Sequence, residues 1–259
     1  MTRIITIANQ KGGVGKTTTT VNIAAAMAQA GKTVLVIDLD PQGNATTALG
    51  IDHPEGTPGI YDVLMGETVL AEVITPCPDV PQLFGIPATI DLAGAEVELV
   101  STPNREHRLR EEIEQLLHTT HFDYIFLDCP PSLGLLTLNG LVAAREVLLP
   151  IQCEYYALEG LSQLLKTVDM IKEHLNPELY VTAIILTMYD GRTRLASQVA
   201  DEVRNHFGAR VLETIIPRNV RVSEAPSYGQ TVLTYDPASS GAVSYREAAA
   251  QLDIIQQTI

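Results

Sequence analysis

The chemistry of this chain is most legible in Lys11-Gly12-Gly13-Val14-Gly15-Lys16-Thr17-Thr18, which joins an apolar β-prone run, Ile4–Ala8, to an Ala-rich helical stretch, Thr17–Ala30. Glycines at a strand-to-helix turn let backbone N–H groups close around phosphate oxygens, and the helix N-terminus adds a favourable dipole. In that setting Lys16 reaches the β- and γ-phosphates, and the Thr17 hydroxyl ligates Mg2+. A tight turn with incidental glycines is the plainer alternative, but Gly-Lys-Thr-Thr between strand and helix argues for a nucleoside-triphosphate site. Two carboxylates follow in Val36-Ile37-Asp38-Leu39-Asp40-Pro41-Gln42-Gly43-Asn44. Ligands of open α/β sheets sit beyond the carboxyl ends of the strands. Side-chain alternation places Asp38 and Asp40 on one side of an extended segment, where a carboxylate can position water for in-line attack. Loop capping before Pro41 is the structural alternative. The apolar run Tyr124–Leu127 ends in Asp128, the arrangement in which an acid holds Mg2+, often through water. Pro130-Pro131 stiffens the exit and Gly134 lets it bend.

These residues need a sheet to hold them. Strands are expected at Ile4–Ala8, Thr33–Asp38, Gln82–Ile86, Tyr124–Asp128, Val147–Ile151 and Val181–Thr187, with a short one near Val232–Tyr235. Several are continuous apolar runs, the mark of strands covered on both faces. Helices are expected at Thr17–Ala30, Arg105–Leu117, Ala157–His174, Arg194–Phe207 and Ser239–Ile255. The alternation implies an α/β fold, a doubly wound, mostly parallel sheet with helices on both faces. No linker or repeat divides residues 1–259, which read as one domain; Gly50–Pro81, with its turn residues and a short helical turn at Ile60–Leu64, reads as a surface excursion.

Composition narrows the partners. The 259 residues carry 17 Lys+Arg against 31 Asp+Glu, a net charge of −14, which argues against a generic nucleic-acid binder. Yet residues 192–221 hold Arg192, Arg194, Arg204, Arg210, Arg218 and Arg221 against three acids, a window of net charge +3 in a chain otherwise at −17. No apolar run approaches the roughly 20 residues of a membrane helix, nor does the N-terminus form a secretory core. A cytoplasmic location is expected. Cys77, Cys129 and Cys153 form no CxxC pair, and Cys129 reads as a small buried hydrophobe.

The loop also departs from the ordinary pattern. Gln10 stands where the leading glycine is usual, and Lys11 adds a second lysine. This resembles the deviant Walker A signature of the ParA/MinD superfamily, in which the extra lysine reaches into a partner copy's nucleotide site. The segments Asp38–Asn44, Gln152–Gly160, Asp190–Arg194 and Ile216–Arg221 with Ser223–Ser227 resemble chromosomal ParA/Soj partition ATPases. The resemblance implies an ATP-dependent homodimer with Lys11, Lys16 and Asp40 in catalysis. Lys11, Gly12, Gly13, Val14, Gly15, Lys16, Thr17 and Thr18 would hold phosphate, Thr17 and Asp128 would hold Mg2+, and Pro217 and Asn219 would contact adenine. It further implies non-specific double-stranded DNA binding through Arg192, Arg218 and Arg221, with Arg194 subsidiary, a nucleoid association, and a ParB-like centromere-binding partner. Gln152–Gly160 would border the second copy. Solvated arginines paired with Asp201, Glu202 or Glu213 are the bland alternative. A MinD-like membrane switch is the rival function, but Arg246–Ile259 has one Arg, two acids and no Lys, and reads as a core helix. A metal-cluster or metabolic ATPase would want cysteines or an insert that the chain does not show.

Overall fold

The computed structural model describes residues 1–154 and 157–255, with residues 157–159 described through their backbone alone. Tyr155 and Tyr156, within the segment expected to border a second copy, lie outside the described residues, as does the tail beyond Ile255. The strands are β1 (Arg3–Ile7), β2 (Val34–Asp38), β3 (Thr75–Pro76), β4 (Leu83–Ile86), β5 (Tyr124–Asp128), β6 (Glu146–Gln152) and β7 (Tyr180–Thr187). They form one sheet in the order β3-β4-β2-β5-β1-β6-β7, parallel throughout except for the short antiparallel β3 at one edge. The expected doubly wound α/β sheet is therefore present.

A period of two divides each strand between two cores. Val34, Val36, Tyr124, Phe126, Ile5 and Ile7 face one side, while Leu35, Ile37, Ile125 and Leu127 face the other. On the first side lie α1 (Lys16–Gln29) and α2 (Asn44–Ala48). The other side carries α3 (Ile60–Met65), α4 (Leu70–Val73), α5 (Leu92–Glu98), α6 (Arg108–Thr119) and α7 (Leu135–Ala143), then α8 (Ala157–His174) and α9 (Arg194–Phe207). The chain returns to the first side as α10 (Val220–Glu224), α11 (Val232–Tyr235) and α12 (Ser240–Ile254). Being covered on both faces is why β2 and β5 are buried at every position.

Two expectations are corrected. Val232–Tyr235 is the helical turn α11, not a strand. Ile184 of β7 bridges Val211, and Tyr189 just beyond the strand bridges Pro217, while Val232 N–H donates to Asn22 Oδ1 of α1 at 2.9 Å. The segment Gly50–Pro81 is more than a surface excursion. The helical turn expected at Ile60–Leu64 is present as α3, and with α4 and β3 the segment places Ile60, Val63, Leu64 and Leu70 at 0–1% exposure in the core, because its apolar residues recur at helical spacing.

Helix α1, which carries the lysine loop at its start, is held on all sides. Gly241, Ala242, Tyr245, Ala248, Ala249 and Leu252 form the buried face of α12, and small residues there let the two helices pack closely. The apolar face of this C-terminal helix is thus spent on α1. At the sheet end remote from the loop, Arg3 donates to both Glu146 oxygens at 2.8 and 2.6 Å and to Leu252 O at 2.7 Å. Thr182 Oγ1 donates to the same carboxylate, and Tyr124 Oη donates to Asp253. This cluster pins α12 to β1, β5, β6 and β7. Breaking a buried pair strands the remaining charge, so Arg3→Ala should cost about 3 kcal/mol in urea unfolding. A loss below about 1 kcal/mol would mean Glu146 is solvated without its partner.

Candidate nucleotide site

The site lies where parallel strands end and α1 begins. Gly13 and Gly15 adopt left-handed backbone at φ +74° and +86°, conformations that admit glycine without strain. Nothing lies within 4 Å of a Cβ placed on Gly12 or Gly13, so the outer side of the loop is open. Helix α1 starts at Lys16 with its first N–H groups unpaired by earlier carbonyls and directed at this loop. Val14 points inward, and Thr187 Oγ1 of β7 donates to its carbonyl at 2.8 Å, clamping the loop to the sheet.

Asp128 is fully buried at the end of β5, in register with Asp38 of β2 and Ile7 of β1. Thr17 Oγ1 donates to its Oδ2 at 2.7 Å and Thr20 Oγ1 to its Oδ1 at 2.8 Å. Burial pushes this carboxyl above the ordinary range, nearby Asp38 adds to the rise, and the two threonine hydroxyls oppose it. Asp38 is raised by the same burial, against hydrogen bonds from Thr46 and Asp40 N–H. Burial lowers the Lys16 ammonium, while Asp128 and Asp40 support its charge. Lys16 Nζ donates to Lys11 O at 3.2 Å and is 6% exposed, so a hidden ammonium and a hidden carboxyl share the floor of the site.

The two aspartates expected to lie together take different places. Both Asp38 oxygens are occupied: Oδ1 by Asp40 N–H at 3.1 Å, Oδ2 by Thr46 N–H at 2.9 Å and Thr46 Oγ1 at 2.7 Å. Asp38 therefore shapes the loop and does not line the cavity. Asp40 lines it, its Oδ1 accepting from Gln42 N–H at 3.0 Å. Gly43 follows at φ +61°, with Ala88 O only 2.9 Å from where a Cβ would stand, so this turn is fitted to glycine.

A cavity of about 510 Å3 gathers Gly12, Gly13, Gly15, Lys16, Thr17, Thr18 and Asp40, with Pro131 and Met188 on its walls. Met188 holds a left-handed backbone at φ +51°, uncommon for a long side chain and a mark of strained functional loops. A smaller neighbouring cavity of about 150 Å3 shares Gly15, Thr18 and Met188 and is lined by Pro217, Arg218 and Asn219. Lys11 lines neither cavity; its ammonium, half-exposed, pairs with Glu154 of the same chain. Cys129 is wholly buried beside Asp128, its thiol pushed up by that burial.

The arginines are less free than their number suggests. Arg192 is held by both oxygens of Asp190 at 2.8 and 2.7 Å, and Arg221 pairs with Glu224 at 3.0 Å and Asp236 at 3.4 Å. Arg218 is exposed and forms no ion pair among the described residues. Sequence reasoning missed Thr20 and Thr46; Thr187 and Met188 lie in Thr187–Asp190, where the family resemblance puts a base contact, and both line the smaller cavity. Of the two missed, Thr20 carried a signal, standing one helical turn from Thr17 on the same face, whereas Thr46 reaches Ala88 N–H only through a distant chain segment.

The donor set fits a triphosphate and Mg2+: hard oxygen ligands on Thr17 and Asp128, a buried lysine, and an open glycine loop at a helix start. A family model described as an AAA domain matches residues 2–181. The chain is 52% identical over 252 residues to the sporulation initiation inhibitor protein Soj of Bacillus subtilis, covering 97% of this chain and 98% of that protein. It is also 52% identical over 250 residues to the chromosome partitioning protein ParA of Myxococcus xanthus, covering 96% and 87%. Among solved structures, cobyrinic acid a,c-diamide synthase from Mycobacterium smegmatis with bound ADP and magnesium is similar, at 39% identity and TM-score 0.82, covering 96% and 93%. With a nucleotide cradle, a magnesium-competent Thr17–Asp128 pair and this likeness over nearly the whole length, the chain is an ATPase that uses ATP and Mg2+ and belongs to the Soj/ParA family of chromosome-partitioning proteins.

Proposed function

We propose that this ATPase is a nucleotide-driven DNA clamp for partition. Two copies close over ATP, the closed dimer binds double-stranded DNA without regard to sequence, and hydrolysis stimulated by a ParB-like partner releases it. The cycle would move a chromosome or plasmid over the nucleoid, with residues 1–259 acting as one domain. The observation that carries the reading is the placement of Lys11. It stands outside its own cavity, tethered by one half-exposed ion pair that is weak in water and easily traded. A phosphate presented by a second copy would be a stronger partner, which links triphosphate binding to pairing.

Within one copy, the residues divide the work. The loop N–H groups of Gly12–Thr18 receive phosphate oxygens, and Lys16 leaves its carbonyl contact with Lys11 to meet them. Thr17 and Asp128 would hold Mg2+, which when bound neutralises charge developing on the transferred phosphoryl group. Asp40, beside the cavity and free of the bonds that occupy Asp38, orients the attacking water. Pro217 and Asn219 line the small cavity suited to the base, with Arg218 on the same wall. An arginine so placed gives DNA affinity a reason to follow the nucleotide state. Arg192 and Arg221 would exchange their carboxylates for phosphates, with Arg194 subsidiary. Each added phosphate contact steepens the salt dependence, and dimerisation doubles them.

Retention on non-specific DNA should be at least about tenfold greater with ATP than with ADP or no nucleotide, as expected when several phosphate contacts are added together. Lys11→Ala should abolish both that gain and ATP-dependent dimers in light scattering, whereas Arg218→Glu should lose the DNA and keep the dimer. Equal retention in all nucleotide states discards the clamp.

Asp40→Ala should bind ATP normally, lower turnover about 100-fold and accumulate the DNA-bound form, as loss of a water-orienting group would. Normal turnover reassigns that role.

Magnesium binding needs an ionised Asp128, yet burial and Asp38 raise its pKa in the nucleotide-free chain. Binding therefore expels a proton, and affinity for Mg-ATP should rise from about pH 5 towards neutrality and then level. The nucleotide-free fold, holding a proton its unfolded form releases, should lose stability over the same window. Calorimetry in two buffers of different ionisation enthalpy reads the proton directly; a flat affinity contradicts the coupling.

A further inference from the structure

The helix that follows β4 has two apolar faces. Leu92, Ala95 and Leu99 point inward and are wholly buried. Opposite them Ile90, Val97 and Val100 are 57%, 76% and 57% exposed, and Ala93 is exposed with them. From Asp91 the backbone stays right-handed through α5 and the 3-10 turn Leu99–Ser101, so spacings of three, four and three residues put these four in one stripe. Isolated exposed apolar residues are ordinary, but a continuous stripe along one helix face marks a surface made to be covered.

Acids flank the stripe on both sides. At about 100° per residue, Glu96 borders one edge, and Glu98 and Asp91 lie beyond Gly94 and Ser101 on the other. Among the described residues, Asp91 accepts only from Thr89 and Gly56, and Glu98 only from Tyr61. Glu96 Oε1 is buried with no hydrogen-bond donor among the described residues. No Lys or Arg of the described chain forms an ion pair with any of the three. A second copy, itself at net charge −14, would bring the same acids against these. A basic segment meets no such conflict.

The acid beside the stripe, Glu96, also meets the loop beyond Asp128. Gly134 lies so close under Glu96 that a Cβ on it would stand 1.8 Å from Oε1. Leu133 beside it is 46% exposed, and Pro131 lines the nucleotide cavity. One side-chain contact thus separates the outer helix from the loop that walls the site.

We propose that this face of α5 is the docking surface for a positively charged amphipathic helix of a partner protein. The partner lays apolar residues along Ile90, Val97 and Val100, offers Lys or Arg to Glu96 and Glu98, and sets the loop at Gly134 through Glu96. Its coupling to hydrolysis rests on the partition reading; the docking surface itself does not.

The probe is the full-length ParB-like protein of the same partition system, with the full chain and Mg-ATP. Docking is read by anisotropy of the labelled partner, and coupling by stimulated phosphate release. Val97→Asp combined with Val100→Asp should raise the dissociation constant about tenfold or more, as loss of central apolar anchors does. Melting temperature, basal turnover and ATP-dependent self-association should match the parent. Glu98→Lys should weaken binding about fivefold at low salt and far less at high salt, a signature that lost packing does not give. Unchanged binding in the double variant overturns the surface, and so does a parent chain that binds no such partner. Loss of self-association in the double variant overturns it in favour of a second copy. Weakened binding in the variants, with no stimulated hydrolysis in the parent, upholds the surface and removes the partition reading.

Discussion

A carboxylate shut away from water governs the site. Asp128 is wholly buried, and an ion so placed is tolerable only with partners or a proton. Its partners come from one face of α1, where Thr17 and Thr20 reach both oxygens. The same contacts therefore fix the start of α1, and with it the lysine loop, against the end of β5. Parallel register sets Asp38 directly across from Asp128, which makes a second buried acid costly unless it too is fully engaged. Thr46 and the Asp40 amide engage it. That leaves Asp40 as the carboxylate beside the cavity, a division of labour that follows from burial and hydrogen-bond supply.

Rigidity at the far end of the sheet supports this arrangement. The cluster around Arg3 and Glu146 ties the last turn of α12 to four strands, and α12 in turn packs its small residues on α1. The helix that presents Lys16 and Thr17 is thus braced by polar contacts at both ends of the sheet and by close apolar packing between them. Preorganised donors of this kind bind a polyanion without first having to be ordered.

Charge is distributed with comparable economy. The basic window 192–221 exists in sequence, but Arg192 and Arg221 already face carboxylates in the folded chain. Exposed pairs contribute little to stability and exchange readily, so they mute the surface without committing it. On α5 the situation is reversed: acids flank an exposed apolar face and have no cation partner among the described residues.

Motifs whose chemistry is local were legible in the residues alone. The glycine–lysine loop, the apolar run ending in Asp128 and the doubly covered strands depend on backbone conformations and periodicities encoded within about ten neighbouring positions. Even there, the likeness to Soj and ParA supplied the deviant lysine's meaning. What the tertiary structure alone decided concerns partners far apart in the chain. Thr46 meets Ala88, Thr187 meets Val14, and Glu154 meets Lys11 only after the sheet has formed. Val232–Tyr235 is strand-like in composition and became a helical turn packed on α1, where Asn22 offered an acceptor. Gly50–Pro81, rich in turn residues, buries its apolar positions because α3 and α4 pack into the core on that side of the sheet. Periodicity states which side of an element is apolar; only packing states whether that side is covered, and by what.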